Sequence, residues 1–330
     1  MKTLFLSHAP HEVHLEFAKS IGAEIKIIPL NWLVKLEKKI RFFGRFYHFL
    51  SFIYSFFIPR RDILLVDGGS SLYVAIFFKM RFQKTKIIYL DGDMLFYSHN
   101  FKKNSLIKEI QNYFFRKIDG VISVSKQNKE FISKYLKVPI KIVSPYPKEI
   151  KKMNIKRKNY GLYVGRLDPD KNIKRIIDFG LQCPYFDKFI ILGDGANRNY
   201  VEKIASQNKK IIYLGQRKDV AKFYSQSKFL IHIPDYDPHP CTTMEAALCG
   251  CYPIISKNIG TRYLFDNIFV VENPENFREI NEKIDYIIKN KKTADKLLKN
   301  ALGKFPTKEK SIQNFQRAFT KIIEKLEVFK

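Results

Sequence analysis

Residues 160–179 read YGLYVGRLDPDKNIKRIIDF, and this stretch decides the architecture. Tyr160 to Val164 is a short apolar run of strand length, Gly165 breaks it, and Ile173, Ile176 and Ile177 then recur at helical spacing. A strand that turns through glycine into a helix is the repeating unit of a parallel sheet covered by helices. Downstream, apolar runs at Lys188 to Leu192, Lys210 to Tyr213, Lys228 to His232, Tyr252 to Ile255 and Ile268 to Val271 predict the other strands of one doubly wound sheet. Upstream, Thr3 to Leu6, Glu24 to Ile28, Asp62 to Val66, Lys86 to Leu90, Gly120 to Val124 and Ile140 to Val143 predict a second. The tail from Pro274 to Lys330 has helical period.

Length agrees with two domains, since 330 residues exceed what one core usually serves. Lys148 to Asn159, KEIKKMNIKRKN, is basic and lacks an apolar period, which marks a linker and predicts a boundary near residue 155. The expected domains are 1–155, joined by the C-terminal helix at about 308–330, and 156–307. The composition, 45% apolar and 15% aromatic, excludes the disordered class. The net charge of +27 divides into +18 for residues 1–159 and +9 for residues 160–330, which favours anionic partners without choosing among phosphates, nucleic acid and an acidic membrane.

Cys183, Cys241, Cys249 and Cys251 have no metal-ligand spacing and are expected as small side chains in a reducing compartment. The apolar part of MKTLFLSHAPHE is too short for a signal peptide, so a cytoplasmic protein is expected, peripheral on the inner face of the membrane. Ile40 to Ile58, IRFFGRFYHFLSFIYSFFI, carries aromatic residues between basic flanks. It reads either as an interfacial helix or as a helix packed on the sheet.

Ligands of open α/β sheets bind outside the carboxyl ends of the strands. After the first strand of the second half, Gly165 precedes Arg166 and Lys171, a flexible turn and two cations at a helix start, suited to a pyrophosphate. Two solvated surface cations are the alternative. Further on, IPDYDPHPCTTMEAALCGCYPIIS sets Asp237 seven residues before Glu245, which lies on a helix beginning near Cys241. The N–H groups of Cys241, Thr242 and Thr243 can receive a phosphate there, and Glu245 can bind ribose hydroxyls or simply stabilise its own helix.

GRLDPDKN, then GDG at 193–195, then DPHPCTTME and AALCGCYPII, in that order, resemble the donor domain of family-4 retaining glycosyltransferases of the GT-B fold. The resemblance covers Tyr160 to about Leu264 and implies two facing Rossmann-like domains that act on a nucleoside-diphosphate sugar. By that resemblance Arg166 and Lys171 hold the diphosphate and Glu245 the ribose. Gly193, Gly195 and the stretch from Gly215 to Lys218 lie near the base, and Asp237 acts beside the transferred sugar. Here Asp237 replaces Glu, and His239 with Pro240 replaces Phe-Gly, so the sugar pocket is expected to differ.

The first half resembles the family more weakly. VISVSKQNKEFI and the position of His14 match it, whereas SHAPHEVH lacks the usual Gly-Gly pair. Gly68 and Gly69 are a candidate flexible loop on the acceptor side, or an ordinary turn. Asp91 and Asp93 in YLDGDML are candidate acceptor-side bases. No metal or other cofactor is expected, because enzymes of this fold bind the diphosphate with cations. His8, His11 and His14 share a helical spacing without an acidic partner in sequence, which argues against zinc.

The expected reaction is transfer to a glycan or lipid-linked acceptor at a membrane surface. Two other classes stay open: a basic nucleic-acid-binding protein, which would need exposed stacking aromatics, and a dinucleotide-dependent oxidoreductase, whose G-x-G-x-x-G fingerprint SHAPHEV lacks. No nucleic-acid partner is expected.

Overall fold

The computed structural model describes residues 1–29, 43–101 and 105–328. It divides into two units, Met1–Pro145 with Lys308–Lys330, and Tyr146–Thr307. Each is built on a six-stranded sheet.

Unit 1 runs β1 (Thr3–Ser7), α1 (Glu12–Ser20), β2 (Glu24–Ile27), α2 (Phe43–Ser55), β3 (Ile63–Asp67) and α3 (Gly69–Arg81). It continues with β4 (Lys86–Asp91), α4 (Leu95–Asn100), α5 (Ser105–Phe115), β5 (Gly120–Ser123), α6 (Lys126–Ser133) and β6 (Ile140–Ile142). Its sheet is parallel throughout, in the order β2-β1-β3-β4-β5-β6. All five residues of β3 are buried, as a central strand covered on both faces requires.

Unit 2 runs β7 (Lys158–Val164), α7 (Ile173–Gln182), β8 (Lys188–Leu192), α8 (Arg198–Gln207), β9 (Ile211–Tyr213) and α9 (Val220–Gln226). β10 (Ser227–His232), α10 (Cys241–Leu248), β11 (Tyr252–Ser256), β12 (Val270–Val271), α11 (Phe277–Lys289) and α12 (Lys291–Leu302) follow. The parallel order is β12-β11-β10-β7-β8-β9. The strands lie where the apolar runs predict them, except that Asn267–Phe269 forms a turn of 3-10 helix and leaves β12 only two residues.

After unit 2 the chain returns to unit 1 as α13 (Lys308–Val328). There Phe315 stacks on Phe17 of α1, ring centres 4.6 Å apart, and Ile322 fills the notch above Gly120, where a Cβ would lie 2.5 Å from its Cγ2.

The division at 145/146 falls ten residues before the composition-based boundary near 155. Tyr146 to Arg157 lacks a period yet is bonded to unit 2: the Met153 N–H donates to Ser225 Oγ at 2.9 Å, and Arg157 donates to the carbonyls of Ser227 and Cys249, both at 2.8 Å. An irregular segment held by side chains reads as a linker from composition alone. The four cysteines are unpaired; Cys183, Cys249 and Cys251 are buried and Cys241 is half-buried.

The strand order reverses between β7 and β10 in unit 2 and between β1 and β3 in unit 1. Helices that leave the sheet on opposite faces open a crevice at such a switch point, at the carboxyl ends of the strands. Unit 1 has a cavity there, and that of unit 2 lies alongside, at the carboxyl ends of β7, β8 and β9.

Candidate active site

Around the unit 2 crevice three loops are knitted by backbone bonds. Gly165 N–H donates to the carbonyl of Leu192, Leu167 N–H to that of Asp194, and Gly193 N–H to that of Gly215, at 3.1, 2.9 and 2.9 Å. Gly193 adopts φ 139°, and a Cβ on it would lie 1.8 Å from the Gly165 carbonyl oxygen, so only glycine lets the loops after β7 and β8 approach. Between them is a cavity of about 320 Å³, lined by Gly165, Arg166, Gly193 and Asp194, with Gln216 and Arg217 from the loop after β9. Arg217 makes a two-pronged pair with Asp219 at 2.8 and 2.9 Å. Lys218 is exposed and not among the cavity-lining residues, while its neighbours Gln216 and Arg217 are. Gly195 packs against Asp168 and Leu167 beside the cavity.

Arg166 and Lys171 sit differently from a matched cation pair. Arg166 is held on the surface by Asp168 and, at 3.4 Å, by Asp170. Lys171 is buried, its ammonium 2.8 Å from Asp237 Oδ2 and 3.4 Å from Asp170. His232 Nε2 reaches the same Asp237 oxygen at 3.1 Å, and the His232 ring stacks on Tyr163. Asp237 is fixed by its backbone too, accepting from Gly260 at 2.8 Å and donating to Asn258 at 3.3 Å. Burial would raise the Asp237 carboxyl, but the Lys171 charge and the His232 bond outweigh it and hold the group far below the ordinary carboxylate range. Asp237 is therefore held in its charged form between Lys171 and His232.

Helix α10 opens at Cys241, after Pro240, with Thr242 next. Thr243 is turned away: its N–H and its hydroxyl both bond the Pro240 carbonyl, at 3.2 and 2.8 Å. Thr243 is thus removed from the expected phosphate-receiving set, leaving Cys241 and Thr242. The Cys241 thiol lies 3.8 Å from the Tyr146 carbonyl and from His239 Nδ1. Glu245, one turn on, is buried and accepts a bond from the Tyr224 hydroxyl at 3.1 Å. Burial pushes its carboxyl up, against the Tyr224 bond and the charge of Lys148.

The unit 1 crevice holds a cavity of about 260 Å³ lined by His8, His11, His14, Asp67, Gly68 and Asp93, among others. Asp67, at the end of β3, accepts from Ser7 Oγ at 2.9 Å and binds His14 Nδ1 at 2.8 Å, so the acidic partner that the histidine spacing lacks in sequence comes from another strand. Gly68, at φ 77°, turns the chain into α3. Asp93 bonds the N–H of Gly69 at 2.5 Å and that of Leu95 at 2.9 Å, and takes the Tyr89 hydroxyl at 2.9 Å. Asp91 is sealed in the sheet, one oxygen taken by Ser123 at 3.1 Å and Asn128 at 2.7 Å. Burial pushes both carboxyls up, Asp91 well above its ordinary value. Asp91 is not among the cavity-lining residues, which argues against its reading as a base; Asp93 does line the cavity, with one oxygen bonded to the start of α3 at Gly69 and the other to Leu95 and the Tyr89 hydroxyl.

His8 is pushed down from 6.5 to about 4, chiefly by burial. A folded value below the unfolded one means that the unfolded chain binds the proton first as pH falls, so stability drops from about pH 6.5 down to about 4, by roughly 3 kcal/mol. His8→Gln should flatten this part of the stability profile relative to the unmodified protein in urea titrations at stepped pH. Identical profiles would refute it.

Solved structures share the arrangement across nearly the whole chain. Anabaena HepE in complex with UDP and glucose aligns with a TM-score of 0.68 at 17% identity, covering 99% of this chain and 100% of that one. The lipopolysaccharide outer core galactosyltransferase WaaB, in its apo form, gives 0.64 at 16%, covering 97% and 99%. TarM gives 0.64 at 19%, covering 82% and 57%. Two doubly wound units of this kind define the GT-B class of glycosyltransferases. Residues 146–304, which contain the whole unit 2 crevice, match the model of the glycosyl transferases group 1 family. No curated protein sequence matches the chain.

Proposed function

We propose that the protein is a retaining glycosyltransferase that moves a sugar from a nucleoside-diphosphate sugar to a glycan or lipid-linked acceptor at a membrane surface, without a metal cofactor. The supporting observation is the unit 2 crevice, where a glycine-lined cavity at the ends of β7, β8 and β9, an exposed Arg166 and the start of α10 after β10 lie along the carboxyl edge of one sheet. In this reading the base occupies the cavity beside Gly193 and Arg217, and Glu245 takes the ribose hydroxyls. Arg166 leaves Asp168 and Asp170 to bind the diphosphate, and the N–H groups of Cys241 and Thr242 receive its charge as it departs.

Asp237, kept in its charged form by Lys171 and His232, faces the positive charge that develops at the anomeric carbon. Lys171 keeps it in place. The acceptor oxygen bonds to the anomeric carbon as the bond to the diphosphate breaks, and the acceptor proton passes to the departing oxygen on the same face. The acceptor belongs to unit 1, whose crevice offers His14 oriented by Asp67.

HepE was solved with UDP and glucose and with UDP-glucose, which makes uridine donors the first to test. The protein should be thermally stabilised by at least one nucleoside-diphosphate sugar in a panel covering the common bases and sugars. Stabilisation by random oligonucleotides or by NAD, with none by any nucleotide sugar, would sink the proposal.

A further inference from the structure

Helices α2, α3 and α5 lie side by side in unit 1, tied through ring edges. Phe52 of α2 meets Phe77 of α3 at 5.6 Å, and Phe77 meets Phe114 of α5 at 6.0 Å. Beyond these contacts the layer is left apolar on its outside. Phe49, Phe52 and Ile53 of α2, with Phe56 and Phe57 just after it, are 38% to 67% exposed. Along α5, Leu106, Ile110 and Tyr113 fall at i, i+4 and i+7, one helical face, and are 48% to 70% exposed. Met80 of α3 adds to the same surface. Singly exposed apolar residues need no explanation, but three adjacent helices that expose them together do.

Cations are set among these rings. The Arg81 guanidinium lies 3.9 Å from the Phe56 ring centre, the Lys117 ammonium 5.1 Å from that of Tyr113, and Arg60 sits 5.7 Å from that of Phe82. Among the described residues none of the three pairs with a carboxylate. Across α2, α3 and α5 the only acidic residue in the sequence is Glu109. A second copy of this face would meet like charge, and although bases could stack on its Phe and Tyr rings, the interleaved aliphatic Ile53, Leu106 and Ile110 suit an acyl layer better than a nucleic acid. Anionic headgroups above an acyl layer match both features, since aromatic and aliphatic side chains enter the boundary and cations meet lipid phosphate.

We propose that the outer face of α2, α3 and α5 is a docking surface for an anionic lipid bilayer, on which the protein lies without crossing. Among the described residues no helix is long and apolar enough to span a membrane. The surface is wholly in unit 1 and is independent of the donor site, so either reading can fail alone.

The full chain should float with vesicles of phosphatidylcholine and phosphatidylglycerol and not with phosphatidylcholine alone, and high salt should release it. Phe49→Gln with Leu106→Gln should lower the partition coefficient by about tenfold or more, and Arg81→Gln with Lys117→Gln should remove most of the preference for phosphatidylglycerol. Melting temperature and nucleotide-sugar stabilisation, measured on the same preparations, should stay unchanged. Equal partitioning of the unmodified and variant proteins, or no flotation with anionic vesicles, would overturn the proposal. So would a dimer in solution that the Phe49 and Leu106 changes dissociate, which would assign the face to a second copy.

Discussion

Glu245→Ala should lower kcat/KM for sugar transfer by about a thousandfold, because the variant loses the one buried carboxylate on α10. It also strands the Tyr224 hydroxyl, which donates to Glu245 at 3.1 Å, so unit 2 should lose about 1–3 kcal/mol of stability. Stability loss alone could imitate a catalytic effect, and a 2′-deoxyribose donor separates the two. The unmodified protein should discriminate against the deoxy donor, whereas Glu245→Ala should accept both nucleotides equally poorly. Equal discrimination by both proteins would move the ribose elsewhere. Arg166→Ala, on an exposed side chain, should cost a similar factor in transfer with no change in melting temperature.

Lys171→Met should be the most damaging substitution to the fold of unit 2. The ammonium is the main charge opposing burial of Asp237, and removing one partner of a buried pair costs about 3–5 kcal/mol. The pH dependence should weaken as well. In the unmodified protein the depressed Asp237 contributes stability that is complete above the ordinary carboxylate value and is lost as pH falls through its folded value. Without Lys171 only the His232 bond and charge oppose burial, so the folded carboxyl should move up toward its unfolded value and the loss of stability on acidification should shrink. Lys171→Met with Asp237→Asn should recover most of the stability and none of the transfer. A single variant as stable as the parent, measured by urea unfolding, would show that the pair carries no such weight.

The fold was legible because a buried parallel strand is a run of apolar residues bounded by polar turns, and nearly every run from Thr3 to Tyr252 became one. Helix faces were less legible. In SLIKEIQNYFF apolar residues occupy both sides of α5, so nothing in the sequence says that Phe115 packs inward while Leu106, Ile110 and Tyr113 stay outside. The Ile40 to Ile58 segment leaves core and interface open as alternatives, and α2 packs with Ser51 and Ser55 buried while Phe49 and Phe52 stay exposed; residues 40–42 lie outside the described residues.

At the crevices, glycines were readable where backbone must approach backbone, as at Gly165 and Gly193. Partners distant in sequence were not. Asp67 lies 53 residues from His14, and only the adjacency of β1 and β3 brings them together. Lys171 was read as a free cation because its counter-ion, Asp237, stands 66 residues away. An acidic residue at a strand end beside a glycine pair, as in VDGGSS, was the available signal for Asp67.

The return of α13 to unit 1 bears on how the molecule is made. A ribosome delivers all of residues 146–307 before the helix that carries Phe315 and Ile322. Unit 2 can finish its core during synthesis, while unit 1 waits with Phe17 and the notch at Gly120 uncovered. During that interval the nascent chain holds an apolar groove open between α1 and β5, so the first-encoded unit is the one whose core closes only when the last helix arrives.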